Sequence, residues 1–222
     1  MHRALRLLAV GILAFTVGPY SITATPADLG PCEALKGATP RFLDYARREN
    51  EILGIGTHSP RYGQPVMEVL IEPASDKETL LRFFTPTDVG APVEVVRPST
   101  SLWNEASGRT IEVERGARTL PKDLGRTLIE LLDREVGNAR FPAEGFVPCL
   151  DGTRYTFRAS GIRCGSIACP ATGSRGASLL RLVHSVVGYV VEQDESEVSR
   201  ARGRIEQMLR ELAGSDSGAP RS

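Results

Sequence analysis

The sequence predicts an α+β fold: an antiparallel, meander-like sheet of about five to six strands, packed on one face by two or three helices. Short strand-like segments bounded by Gly and Pro follow one another between residues 65 and 114. Two segments with helical periodicity, 121–138 and 178–192, are interposed among the later strands. Strands that mostly neighbour one another in sequence favour antiparallel pairing, and this order is typical of the α+β class.

The first half of the chain is predicted to contain one helix and four strands. Arg41–Glu51 has the spacing of an amphipathic helix, and the three glycines and two prolines of residues 54–65 predict a loop. The last predicted strand alternates cleanly, with Ile111 and Val113 expected to point inward. The four strand segments are Pro65–Glu72, Leu80–Thr85, Val93–Arg97 and Thr110–Glu114.

The helix predicted at 121–138 has clear boundary signals. Pro121 suits a first helical turn, Asp123 favours its positive end, and Gly137 or Asn138 ends it. One apolar stripe along this segment indicates a face that packs on the sheet. Its members are Leu124, Leu128, Leu131, Leu132 and Val136.

A hairpin and two helices are predicted for the last third of the chain. Thr153–Ala159 and Ile162–Cys169 are expected to be strands joined by a turn at residues 160–161. Tyr155 and Phe157 then point to the core. The two helices are Ser178–Glu192, which has a wide apolar face, and the more polar Glu195–Leu212.

Residues 1–24 have the pattern of an export signal peptide: basic residues, an apolar run and then small residues. The apolar run is shorter than the roughly 20 residues that span a bilayer. We expect cleavage after Ala24 or Ala27, a location in the periplasm or outside the cell, and no integral membrane segment after cleavage. The remaining chain is predicted to form a single α+β domain over 25–192, a C-terminal helix over 193–213 and a disordered tail over 214–222.

The charge balance argues against nucleic acid as a partner. Removing residues 1–24 takes away two arginines and no acidic residue, which leaves 25 basic and 27 acidic residues. A slightly acidic chain has no electrostatic attraction for phosphate backbones or anionic membrane surfaces.

Four cysteines lie beyond the signal: Cys32, Cys149, Cys164 and Cys169. In an oxidising compartment they predict two disulfides with three possible pairings. The predicted hairpin brings Cys149 close to Cys169 and makes that bridge possible. A local Cys164–Cys169 bridge, with Cys32 bonded to Cys149, is an equal competitor. The spacings match no common zinc pattern, so no metal site is predicted.

Two residues of the 54–65 loop are candidate ligand residues. His58 is titratable near neutral pH, and Arg61 follows it in a loop long enough to bind or catalyse. A hydrolase would need a carboxylate beside His58, which the sequence cannot locate. A lone exposed histidine without a function is the simpler interpretation.

Ser174 and Arg175 are the second pair of candidate ligand residues. They lie in the Gly173–Ser178 loop that leads into a helix, where free N–H groups and a cation can hold an anion. The loop lacks the Lys-Ser/Thr pair of a phosphate-binding P-loop. Ser174 or Ser178 is equally suited to be the N-cap residue of the helix.

Two further side chains are interpreted as structural. His184 lies on the core helix and is predicted to be a hydrogen-bonded histidine, buried or at the helix edge. Trp103, the single tryptophan, is expected to pack in the core. Exposure of its ring beside Tyr62 or Phe84 would instead indicate a surface that binds a partner.

The region from 65 to 192 resembles small exported bacterial proteins that have no assigned activity. The residues that carry the resemblance are the strand Asp151-Gly152-Thr153-x-Tyr155-x-Phe157, the following Gly/Ser/Pro segment and the last Leu/Val-rich helix. The resemblance implies an α+β fold and no particular chemistry.

No motif predicts a catalytic residue or a cofactor. The sequence therefore favours a non-enzymatic exported domain that binds a protein or another envelope component. The alternatives are a small periplasmic hydrolase that uses the loop around His58 and a small anion binder at Gly173–Ser178.

Overall fold

The computed structural model describes residues 30–31, 40–105, 109–139, 152–160 and 163–214. The strands in this part of the chain are β1 (Gly30–Pro31), β2 (Met67–Glu72), β3 (Thr79–Phe83), β4 (Ala91–Pro98), β5 (Val113–Leu120), β6 (Arg154–Ala159) and β7 (Cys164–Ala168). The helices are α1 (Pro40–Leu53), α2 (Lys122–Gly137), α3 (Arg175–Val191) and α4 (Glu195–Gly214).

All of these strands join one antiparallel sheet in the order β1-β7-β6-β2-β3-β4-β5. Strands β2 to β5 form a meander, and the β6–β7 hairpin adds to the side of β2 that β3 leaves open. The predicted α+β fold with a meander-like antiparallel sheet is confirmed.

Helices α2 and α3 cover one face of the sheet, and α4 packs on these two helices. All three contribute to the main core. Alternate residues of the strands point to this face, including Tyr155 and Phe157 as predicted. Helix α2 approaches β4 closely because residue 125 is glycine: a Cβ there would lie 2.1 Å from the Cβ of Ala91. Helix α3 has more buried residues than α2 or α4, in agreement with its Leu- and Val-rich sequence.

The second face of the sheet is covered by α1 and by the segments at 54–65, 99–105 and 109–112. A smaller apolar cluster lies there, formed by Leu53, Leu70, Leu80, Val96 and Leu102. The sequence predicted α1 but did not assign it to a face. Its packing makes the second face a buried layer, and charged strand residues must therefore find partners inside it.

Several predicted boundaries differ from the structure. Helix α3 begins at Arg175, three residues before the predicted start at Ser178. Strand β5 begins at Val113 instead of Thr110 and extends to Leu120, because the whole of it pairs with β4. Its sequence, VERGARTL, lacks an apolar signal since most of its side chains are exposed at the sheet edge. Helix α2 begins at Lys122, with Pro121 as its N-cap residue.

No helix in the described part of the chain is long and apolar enough to cross a membrane. The predicted signal at 1–24 lies outside the described residues, as does the predicted tail beyond Gly214.

Candidate functional site

A row of alternating charges crosses the centre of the second face. In register, Arg158 of β6 lies opposite Glu68 of β2, Glu68 opposite Arg82 of β3, and Arg82 opposite Glu94 of β4. Arg82 is 1% exposed, yet it bonds both acids: Nε lies 3.3 Å from Glu68 Oε1 and Nη1 lies 3.3 Å from Glu94 Oε2. Opposite charges on adjacent strands attract, and their burial makes each dependent on its partner.

The same guanidinium holds the end of α1 and the start of the following loop. Nη2 of Arg82 donates to the carbonyl oxygens of Leu53 and Gly54. The backbone N–H of Gly56 donates to both oxygens of Glu68, at 3.1 and 3.0 Å. Burial raises the pKa of Glu68, while Arg82 and this amide lower it in part. The charge row therefore fixes where α1 ends against the sheet.

A second polar cluster, which we call the acid cluster, lies between α1 and the sheet. It consists of Glu49, Glu72 and Glu78 together with Tyr45 and Arg154. The hydroxyl of Tyr45 lies 3.1 Å from Glu49 Oε1 and 2.9 Å from Glu78 Oε1. Arg154 Nε donates to Glu72 Oε2 at 2.8 Å, and the carboxylate of Glu78 accepts the backbone N–H of Leu102 at 2.9 Å.

Glu49 is a carboxyl group of the acid cluster whose pKa is strongly raised. Glu49 is only 4% exposed. Burial, followed by repulsion from Glu72, raises its pKa to about 8. Protonated Glu49 can donate to the Tyr45 oxygen while the Tyr45 hydroxyl donates to Glu78, so one proton on Glu49 satisfies the whole chain of contacts.

The acid cluster supports an aromatic surface. Tyr45 contacts Trp103 edge to face, with 5.0 Å between the ring centroids. Trp103 is 41% exposed, contrary to the prediction of a core tryptophan. It lies in the segment after β4, anchored on one side by the buried Leu102. A partner surface was expected if the indole lay exposed beside Tyr62 or Phe84, whereas the exposed indole contacts Tyr45.

A shallow groove of about 330 Å³ lies in the segment that contains Trp103. Its walls carry hydroxyl and charged groups from residues that precede and follow Trp103 in the sequence. Glu105 accepts a hydrogen bond from Thr100 at 3.3 Å and pairs with Arg109 at 3.2 Å. The lining residues are Ser99, Thr100, Glu105, Arg109, Thr110, Ile111 and Glu112.

Arg48 of α1 reaches the rim of this groove. Its Nη1 donates to the carbonyl oxygen of Glu105 at 2.8 Å. Its Nη2 is buried and has no hydrogen-bond partner in the part of the chain that the structure describes. A buried donor without an acceptor is unfavourable, so an acceptor oxygen supplied here would be stabilising.

The structure does not bring a catalytic partner to His58. His58 is exposed, and it forms neither a hydrogen bond nor an ion pair with any described residue. The guanidinium of Arg61 lies over the neighbouring ring of Tyr62, 5.1 Å from its centroid. The carboxylate that a hydrolase would need at His58 is therefore not found among the described residues.

Ser174 and Arg175 have structural contacts. Ser174 is the N-cap of α3, and its Oγ accepts the N–H of Ala177 at 3.1 Å. Arg175 turns to α2 and α4, where it donates to Glu135 Oε1 at 2.6 Å and to the carbonyl oxygen of Leu212 at 2.8 Å. Because the guanidinium of Arg175 is already paired with the carboxylate of Glu135, it is not available to bind an anion at the start of α3.

His184 lies at the exposed edge of α3 and is hydrogen-bonded, as one of its two predicted interpretations required. Its Nε2 lies 2.7 Å from the Tyr155 hydroxyl. Burial of the ring, with a smaller effect of Arg97, lowers the pKa of His184. A neutral imidazole beside a phenol explains the contact in structural terms.

Both described cysteines, Cys164 and Cys169, are disulfide-bonded. They cannot be bonded to each other. Four residues of extended strand place Cys164 about 13 Å from Ala168, and Cys169 is only one residue further on. Bridged Cα atoms lie within roughly 7 Å, so the predicted Cys164–Cys169 alternative is wrong. Cys32 and Cys149 lie outside the described residues.

In the described part of the chain no group of three or more His, Cys, Asp or Glu residues could hold a metal ion.

The charge row and the acid cluster were not identified from the sequence, although the row has a visible signal. Glu68, Arg82 and Glu94 each interrupt an otherwise apolar strand, in MEVLIE, TLLRF and APVEVV. Single charges of alternating sign in three consecutive strands indicate a cross-strand row. The acid cluster has no such signal, because Glu49 lies on a helix whose docking position is set by tertiary packing.

Comparison with known proteins yields no relative: no protein-family model, no curated protein and no solved structure matches this chain.

Replacing Glu49 by Gln should remove a pH dependence of stability. The pKa of Glu49 rises from 4.5 to about 8 on folding, so the folded state holds the proton more tightly. This contribution is complete below pH 4.5 and is lost as the pH rises to about 8. Because Gln cannot ionise, Glu49→Gln should be more stable than the native chain at pH 9, by as much as about 5 kcal/mol.

Urea denaturation at pH 5, 7 and 9 measures this difference. Glu51→Gln is the matched control, because Glu51 is an exposed residue of the same helix. Parallel pH profiles for the native chain and the Glu49→Gln variant would contradict the assignment.

Proposed function

We propose that this chain is an exported, disulfide-crosslinked binding domain without catalytic activity, and that Trp103 lies at the centre of its binding surface. The observation that carries the proposal is the exposed indole of Trp103 on the Tyr45 ring, whose hydroxyl is bonded to the buried residues Glu49 and Glu78. Export rests on the signal-like segment 1–24.

The surroundings of Trp103 have the composition of a protein-binding surface. Trp, Tyr and Arg are enriched among the residues that dominate binding energy, and apolar centres are surrounded by a polar rim. Here Trp103 and Tyr45 supply the aromatic pair. Arg109 and hydroxyl groups line the groove in the same part of the chain, and Arg48 donates to Glu105 there. The partner that fits is another exported protein with an apolar side chain for Trp103 and acceptor oxygens for the arginines.

Two disulfides support an oxidising compartment. In the β1–β7 register Pro31 lies opposite Gly165. In the sequence Cys32 follows Pro31, and Cys164 precedes Gly165. We therefore propose the pairs Cys32–Cys164 and Cys149–Cys169, of which the second was already possible in the predicted hairpin. The first closes a loop of more than a hundred residues, which contributes about 4–5 kcal/mol in the chain-entropy model.

Peptide mapping without reduction tests the crosslinks. The full-length chain is expressed in a bacterium, its envelope and cytosolic fractions are separated, and the bridged peptides are identified by mass spectrometry. The expected result is a processed chain in the envelope fraction with the two assigned bridges. Unprocessed chain in the cytosol with four reactive thiols would contradict export.

Photocrosslinking tests the binding surface. A photoreactive phenylalanine analogue at position 103 should form an adduct with a specific envelope protein. The same analogue at position 89 should form no such adduct. Val89 is 90% exposed, so it is equally accessible, but it lies away from Trp103 in the chain, in the turn before β4. Adducts that are absent, or identical at the two positions, would contradict the proposal.

The affinity of each variant for the crosslinked protein then measures how much Trp103 contributes to binding. Trp103→Ala should weaken binding about tenfold or more, whereas Val89→Ala should leave it unchanged. Trp103→Phe keeps a ring against Tyr45 and should retain part of the affinity. Thermal unfolding of each variant separates loss of binding from loss of fold.

A further inference from the structure

Strand β5 (Val113–Leu120) is the last strand of the sheet, and its outer side has no strand partner among the described residues. It is eight residues long, and Glu114, Arg115, Ala117 and Thr119 are exposed. A long exposed edge carries unpaired N–H and C=O groups that can pair with another strand.

The pairing with β4 determines which backbone groups of β5 point outward. Ser99 N donates to Glu112 O at 2.8 Å, and these residues are directly opposite in the continuous β4–β5 register. In an antiparallel ladder hydrogen-bonded pairs recur at every second residue. Residues 112, 114, 116, 118 and 120 therefore bond β4, while 113, 115, 117 and 119 direct their N–H and C=O groups away from the sheet.

We infer that β5 is a homodimerisation edge, at which two copies of this chain pair antiparallel about a two-fold axis through Gly116. This proposal is independent of the Trp103 surface. It follows from the outward groups of β5 and from the positions of its charges.

Only one of the registers that the outward groups allow brings opposite charges together. A two-fold axis at residue 114, 115 or 118 would place a charged residue opposite its own copy, and an axis at 117 would form no charge pair. An axis at Gly116 places Glu114 of each copy opposite Arg118 of the other. Opposite charges in directly facing positions stabilise a strand pair, and like charges destabilise it.

The same register satisfies the geometry of the ladder. Residues 115 and 117 exchange hydrogen bonds across the axis, as do 113 and 119. Glu114 and Arg118 then form non-hydrogen-bonded pairs, in which facing side chains are closest. Gly116 faces its own copy, where the absence of a side chain avoids a clash. Arg118 is already held near the edge by Glu192 O at 2.9 Å and Glu195 Oε1 at 3.0 Å.

The pairing forms one continuous sheet across the two copies. Arg118 also contacts the ring of Tyr189, whose hydroxyl donates to the outward carbonyl of Thr119 at 2.8 Å. A carbonyl oxygen has a second lone pair, so Thr119 can accept a further bond from the other copy. One edge strand from each copy makes a small interface, and self-association at micromolar concentration is expected.

Sedimentation from about 5 to 500 µM measures the association, a range chosen for a small interface. The native chain should form a dimer. Ala117→Pro removes an outward N–H without removing a bond to β4, because the N–H of Ala117 does not face β4. It should weaken dimerisation at least tenfold, while Ala117→Ser, which keeps the N–H, should not.

Charge exchange tests the register. Glu114→Lys and Arg118→Glu should each prevent dimerisation, because like charges then face each other. A mixture of the two variants should form a heterodimer with two opposite-charge pairs. A native chain that is monomeric throughout the range, a dimer unaffected by Ala117→Pro, or no heterodimer from two folded variants would overturn the proposal.

Discussion

A single buried guanidinium, that of Arg82, organises the second face of the sheet. It bonds a carboxylate on each neighbouring strand and two carbonyl oxygens at the end of α1. A charge removed from water is tolerated only when partners surround it. The register of β2, β3 and β4, the end of α1 and the start of the loop after it are therefore constrained by one side chain.

The position of α1 decides what the molecule presents on that side. Once the end of the helix is fixed, Tyr45 meets Glu49 and Glu78, and its ring supports Trp103. The buried polar contacts thus have a consequence at the surface, because they hold an exposed aromatic ring in one place. A rigid aromatic group loses little conformational entropy on binding, which suits it to recognition.

The fold class and most elements could be predicted because the main core obeys simple periodicities. The alternation of Tyr155 and Phe157 and the apolar stripe of α2 correspond directly to the helix-covered face. Edge strand β5 was misplaced by three residues at its start, since an exposed edge has little apolar patterning to reveal it. The candidate surface was less predictable: exposure of Trp103 depends on where α1 lies, and sequence periodicity does not specify which helix covers which face.

The free energy of unfolding of an Arg82→Met variant tests the central role of the charge row most directly. Loss of the guanidinium leaves Glu68 and Glu94 buried without their shared counter-charge. The account predicts destabilisation by about 3–5 kcal/mol at pH 7, and a smaller effect at pH 5 where a carboxylate can take up a proton. Arg200→Met, which breaks an exposed pair with Glu197 on α4, should change stability by less than about 1 kcal/mol. An Arg82→Met variant as stable as this control would contradict the account.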